Sequence, residues 1–260
     1  MSMGNVAHQL WEPLCNTSNG ADHCRIDPAD EADSGKAERG RPPLFCGVPA
    51  SDYRKICAAS RVKEFARGEM LYAERESADV ILLLISGLVK ISKIGRSGTE
   101  VIIRFGAPGD VLGSLCLFST GRHLTMAQAF RPCRALAWDT RDFKALVERF
   151  PVLQHNMVRI LGGDLLELEE RFREVATQRV APRVARQLLR LGEQIGQPLA
   201  GNGEVEVGLS REDLAQMTGT TLFSVSRLLS AWEACGWVAP HRAGVTIRDV
   251  QALRAISDEV

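Results

Sequence analysis

Residues 209–232 read LSREDLAQMTGTTLFSVSRLLSAW, a run whose polar side chains suit base edges and phosphates. Ser210 is placed to cap a helix, with Asp213 three residues on as the acidic partner of a capping-box-like start. Leu214 and Met217 give that helix a buried stripe, and Gly219 supplies the left-handed stop. Thr220 or Thr221 then caps a second helix, in which Val225, Leu228, Leu229 and Trp232 recur at three- and four-residue steps and face the core. Thr221, Phe223, Ser224, Ser226 and Arg227 are left pointing outward from its amino-terminal half, the part a helix-turn-helix inserts into the major groove. The fork of donors on Arg227 matches the N7 and O6 acceptors of guanine. The candidate DNA-contacting set is therefore Ser210, Thr220, Thr221, Phe223, Ser224, Ser226 and Arg227. The alternative is an ordinary helical hairpin with an exposed arginine. Cap, glycine, apolar stripe and polar front all agree on the first reading.

Cysteines are the second group with chemical potential: Cys15, Cys24, Cys46, Cys57, Cys116, Cys133 and Cys235. Their odd number and a reducing compartment argue against a disulfide framework. Metal binding or redox chemistry stands against buried, inert thiols. Cys57 and Cys235 lie among apolar helical residues and read as core. His123 is the only histidine between Leu44 and Phe150, a candidate haem ligand set against an ordinary solvated turn residue.

The chain has 260 residues, 45% hydrophobic and 25% charged, enough for two modest soluble domains. The longest apolar run, Val80 to Ile85, suits a buried strand and is too short to span a membrane. No secretory signal is read at the amino terminus, so the cytoplasm is the expected compartment. Formal net charge is zero, and the charges of residues 179–260 balance with every cation an arginine. DNA binding would then depend on where individual arginines sit and on dimerisation, with little help from a global field.

Residues 1–43 are rich in charge, Gly and Pro beyond Asp22 and are expected to be poorly ordered. A short helix is expected over 48–60. Short strands are expected at Glu64–Phe65, Met70–Tyr72, Val80–Ser86, Leu88–Lys93, Glu100–Phe105, Val111–Leu117, Met126–Phe130 and Ala135–Trp138, punctuated by glycines. This spacing favours an antiparallel roll over a parallel sheet. A long helical segment, roughly 141–178, follows. In it Leu153, Met157, Ile160, Leu161, Leu165, Leu168, Phe172 and Val175 form a stripe with charged flanks, as a dimerising coiled coil requires. The alternative is a helix packed on its own roll. A further helix is expected over Arg179–Leu191, and strands Trp237–Ala239 and Val245–Ile247 flank a turn as a wing would. The fold class is thus α+β: an antiparallel roll at 44–147, a dimerisation helix at 148–178 and a winged helix-turn-helix at 179–260.

This arrangement resembles the CRP/FNR family of bacterial transcription regulators. The likeness covers about residues 44–250 and rests on F-x-x-G-E at 65–69, S-G-L-V-K at 86–90, A-P-G-D-V-L-G at 107–113 and T-L-F-S-V-S-R at 221–227. It implies a homodimer that reads a palindromic promoter site in double-stranded DNA, works with RNA polymerase, and senses a signal in the roll. Cyclic-nucleotide members hold ribose with a glycine-glutamate-leucine segment, where this chain has Gly113-Ser114-Leu115. They hold phosphate with an arginine before a hydroxyl residue, where this chain has Leu124 before Thr125. A cyclic phosphate would lack its bidentate partner, so cyclic AMP is not the expected signal. Iron–sulfur members use three amino-terminal cysteines and one in the roll. The resemblance makes Cys15, Cys24 and Cys46 with Cys116 or Cys133 the candidate ligands. The first three are spread more widely than in those members, and the internal position aligns closer to Leu136 than to Cys133. The usual base-reading positions fall on Phe223, Ser226 and Arg227. FNR-like members carry glutamate at the first, so Phe223 exchanges an acceptor for cytosine's amino group for apolar contact with a thymine methyl. Two other readings are a cupin-like enzyme, which needs a histidine cluster in the roll, and a signalling adaptor whose winged helix binds protein.

Overall fold

The computed structural model describes residues 41–259 apart from Ser97, Thr120, 200–202 and Ala243. These residues divide into two compact units, one holding 41–93 with 104–165 and the other 94–103 with 166–259. The division falls inside the long helix, after Leu165.

The first unit opens with a 3-10 turn, Pro43–Phe45, and helix α1, Ala50–Ala58. Six strands follow among the described residues: β1 Arg61–Phe65, β2 Met70–Tyr72, β3 Val80–Ile94, β4 Glu100–Gly106, β5 Val111–Leu112 and β6 Met126–Asp139. They form one sheet in the order β1-β6-β3-β4, with β2 on β6 and β5 on β3. All the resolved pairings are antiparallel. β3 is apolar on both faces because both are buried. Ile81, Leu83 and Ile85 join Leu44, Phe45, Trp138 and Phe143 in one core, while Leu82, Leu84 and Ile91 join Phe65 and Cys133 in another.

Three expectations are corrected here. The strands expected at 80–86 and 88–93 are one strand, and so are those at 126–130 and 135–138. Gly87 carries a bulge (φ 95°) where the β3–β6 register shifts, and a Cβ there would meet Pro132 O at 2.2 Å. The glycine therefore lets two strands stay paired through a kink instead of ending them. The strand expected at 111–117 stops at Leu112. Gly113 turns left-handed (φ 81°) and starts a 3-10 helix, Ser114–Phe118. The single helix expected over 141–178 is two, α2 Thr140–Arg149 and α3 Pro151–Thr177. Pro151 pushes Phe150 out of the helical region (φ −122°, ψ 83°).

The second unit continues from the last turns of α3 into α4, Val180–Ile195. Glu174 is buried on α3 and takes a two-pronged ion pair from Arg190, at 2.6 and 3.0 Å, so α4 is fixed to the end of α3. Strands β7 Gln197–Pro198 and β8 Val205–Val207 precede helices α5 Arg211–Thr218 and α6 Leu222–Ala234. The wing strands are β9 Val238–His241 and β10 Gly244–Ile247, in a sheet ordered β7-β8-β10-β9. Helix α7, Val250–Ser257, closes the chain. Sequence reading missed it, although Asp249 caps it by accepting from Ala252 N at 2.9 Å.

Candidate DNA interface

The two helices of the expected motif start and stop where their side chains dictate. Ser210 Oγ accepts from Asp213 N (3.1 Å), and Asp213 Oδ2 accepts from Ser210 N (3.0 Å), which closes the capping box of α5. Gly219 ends α5 in the left-handed region (φ 59°, ψ 41°). Of the two threonines offered as the next cap, Thr221 is the one used. Its Oγ1 accepts from Ser224 N at 3.2 Å and lies 3.0 Å from Ser224 Oγ. Val225, Leu229 and Trp232 are buried beneath α6, and Leu228 is half-buried. Thr221, Phe223 and Arg227 are exposed, Ser224, Ser226 and Thr220 half-buried, and Ser210 exposed at the start of α5. Leu222, which the sequence reading left out of the candidate set, is 50% exposed beside Phe223 at 75%.

The stripe on α3 has two fates, and this corrects the expected seam. Leu153 and Met157 are fully buried in the core that holds Leu44 and Phe45, and Ile160 packs against it. Asn156 Nδ2 donates to Leu44 O and Cys46 O in the same place. These positions belong to the roll and are closed to a second chain. Leu165, Leu168, Phe172 and Val175 are exposed, and Leu161 is half-buried. Val158, 59% exposed, was missed. It extends the run backward, so that 158, 161, 165, 168, 172 and 175 alternate steps of three and four as a coiled-coil seam does.

A family model described as Crp-like helix-turn-helix domain matches residues 182–256, and one described as cyclic nucleotide-binding domain matches 62–150. A CRP-like cAMP-activated global transcriptional regulator of Mycobacterium tuberculosis is 27% identical over 210 residues, covering 81% of this chain and 94% of its own. The nitrogen fixation regulation protein FixK of Azorhizobium caulinodans is 29% identical over 204 residues, covering 77% and 81%. The chain belongs to the CRP/FNR family of transcription regulators. The solved structure of TTHB099, a CRP-family transcriptional regulator from Thermus thermophilus, superposes with a TM-score of 0.65 at 25% identity, covering 76% of this chain and 97% of its own. This CRP/FNR protein is thus a DNA-binding transcription regulator and not an enzyme, and it binds DNA as a dimer, as its family does. The cupin-like enzyme reading is withdrawn.

Two positions by which the resemblance would have cyclic-nucleotide members hold their ligand carry other residues in this regulator. Ser114 is buried where a ribose-holding carboxylate is needed, and Leu124 precedes Thr125. The Tyr72 phenol is hydrogen-bonded to the Thr125 side chain and the Gly113 backbone. Burial pushes that phenol above its ordinary value, against the hydrogen bond from Thr125. Arg104 Nη1 lies 2.9 Å from Asp110 Oδ2 and Nη2 lies 3.7 Å from Asp164 Oδ2. Burial opposes its charge, but the two carboxylates outweigh burial and hold it above its ordinary value. His123 is buried and stacked on Tyr72, with centroids 3.8 Å apart, rather than solvated in a turn. Burial holds it below its ordinary value despite Glu76 and Asp79. The cavity beside this pair is about 110 Å³, well under the roughly 300–1,000 Å³ of small-molecule sites.

Among the described residues the cysteines are not gathered in the way a cluster needs. Cys15 and Cys24 lie outside the described residues. Cys133 sits in the core of Leu82 and Leu84, whereas Leu136 and the segment leading to Cys46 pack with Ile81 and Leu83 on the opposite face of β3. Cys133 Sγ donates to Arg131 O (2.9 Å), and Cys116 Sγ donates to Arg122 O (3.2 Å). Both thiols are raised by burial, away from the thiolate a metal requires. Among the described residues no group of three or more His, Cys, Asp and Glu could hold a metal. Cys57 is buried as expected, its thiol pushed up to about 11 by burial. Cys235 is exposed, because α6 ends at Ala234, beyond its last buried position, Trp232. Protein reconstituted anaerobically with iron and sulfide is expected to stay colourless. A visible absorption that bleaches in air and disappears in Cys46→Ser and Cys116→Ser would reverse this.

Proposed function

We propose that this regulator reads a palindromic promoter site in the cytoplasm, with α6 in the major groove of each half-site and RNA polymerase as its partner. Residues 44–147 form the sensory roll, 148–178 the dimerising helix and 179–260 the reading domain. The observation that carries this is the outward face of α6, where Arg227 is exposed about one turn beyond Phe223. Arg227 pairs with guanine, Phe223 and Ser226 contact neighbouring base edges, and Ser210, Thr220, Thr221 and Ser224 lie toward the phosphates. The seam runs through Leu161, Leu165, Leu168, Phe172 and Val175. Binding selection on randomised half-sites tests the whole reading. It should return an inverted repeat with half-site centres about one helical turn apart. Failure to enrich any sequence would leave the protein-binding adaptor as the better account.

The signal is not cyclic AMP. Titration calorimetry with cyclic AMP or cyclic GMP is expected to give no heat of binding in the micromolar range, and neither nucleotide should change operator affinity. Submicromolar binding to the purified protein would overturn this. The support is Ser114 and Leu124 at the two nucleotide-holding positions.

A further inference from the structure

We propose that the first turn of α6 reads the C5 methyl groups of pyrimidines, through Phe223 together with Leu222. This rests on the reading of α6 as the helix that enters the major groove.

Part of the hydrogen-bonding capacity of this turn's hydroxyls is spent on the helix itself. Thr221 Oγ1 caps the helix and lies 3.0 Å from Ser224 Oγ, so one of the two hydroxyl protons is held within the turn. The turn carries no acidic residue. What it presents outward is apolar: Leu222 is 50% and Phe223 75% exposed. Neighbouring large apolar side chains on a surface mark a place where something covers them. Here the cover is the DNA, because Arg227 stands about one turn further along the same helix. The apolar group that a base pair displays in the major groove is the pyrimidine C5 methyl, present on thymine and on 5-methylcytosine. Adjacent helical positions diverge by about 100°, so Leu222 and Phe223 reach different base pairs. A glutamate at position 223 would accept a hydrogen bond from cytosine; phenylalanine rewards a methyl and leaves a cytosine amino group unpaired.

The test uses the full chain and its selected operator, with each thymine replaced in turn by deoxyuridine, which lacks only the methyl. Burying one methyl is worth about fourfold in affinity, or about fifteenfold when both half-sites are changed together. The expected result is a penalty of that size at one or two positions per half-site and none elsewhere. Phe223→Ala should bind thymine and deoxyuridine probes equally at one sensitive position, and Leu222→Ala at another, with the guanine preference of Arg227 intact. In a further arm, cytosine and 5-methylcytosine replace thymine at the sensitive position. Recovery with 5-methylcytosine assigns the methyl itself as the group read, and recovery with thymine alone narrows the ligand to thymine. Equal binding of every deoxyuridine probe by the wild-type chain would overturn methyl reading while leaving DNA recognition standing. Absence of any operator binding would instead sink the reading of α6 on which it depends.

Discussion

A chain carrying Leu165→Glu and Leu168→Glu is expected to sediment as a monomer at micromolar concentration and to lose operator binding at concentrations that saturate the wild type. Both leucines are about half exposed in the single chain, at 55% and 49%, and neither supports the roll core. The monomer should therefore stay folded, which circular dichroism can verify. In the dimer four leucines leave the seam, each worth roughly 1.5–3 kcal/mol when fully buried. Four carboxylates take their place and resist desolvation. The dimer dissociation constant should rise by about four orders of magnitude or more on the burial term alone. The matching control is Leu153→Ala, which opens a cavity in the roll and should cost about 2–5 kcal/mol of stability. A double-glutamate chain that still sediments as a dimer would place the seam elsewhere.

Arg227→Ala should lower specific affinity by about tenfold to a hundredfold per half-site, since a bidentate pair with guanine is worth roughly 1–3 kcal/mol. Its effect should be confined to one guanine. Binding selection with the variant should return the same repeat with that position relaxed. Non-specific binding should fall only slightly, because one phosphate-independent contact is lost and the salt slope is set elsewhere. Val225 and Leu229, buried on the opposite face, anchor the helix whatever residue stands at 227. The loss can then be assigned to base reading instead of folding. An unchanged motif after Arg227→Ala would mean that α6 does not dock by this face.

The helix-turn-helix was legible because its signals are local. A serine with an aspartate three residues on, a glycine at a left-handed stop and a threonine before an apolar run act within a turn or two of themselves. Positions settled by distant partners were not legible. Leu153 and Met157 share the period of Leu165 and Phe172, and periodicity gives no sign of which stripe residues meet the roll and which meet another chain. Gly87 looks like strand punctuation, and only the approach of Pro132 O from β6 makes it a bulge. Tyr72 carries no signal at all on its short strand. Its role comes from Gly113 and Thr125, some forty to fifty residues away, on segments that the sheet brings to it. Cys133 shows the same limit: spacing along the chain does not say that it and Leu136 face opposite cores.

The exposed half of α3 makes the amount of protein a variable in its own right. The first turns of that helix are built into the roll of the same chain, so the roll core is complete without a partner. Pairing is then a separate step governed by mass action. Below the dissociation constant, dimer abundance rises as the square of chain concentration, and a doubling of synthesis about quadruples the operator-competent form. An unpaired chain meanwhile shows Phe172, at 74% exposure, and its apolar neighbours to the solvent, the kind of surface that draws aggregation. Rates of synthesis and removal would thus set transcriptional output even if no small molecule ever entered the roll.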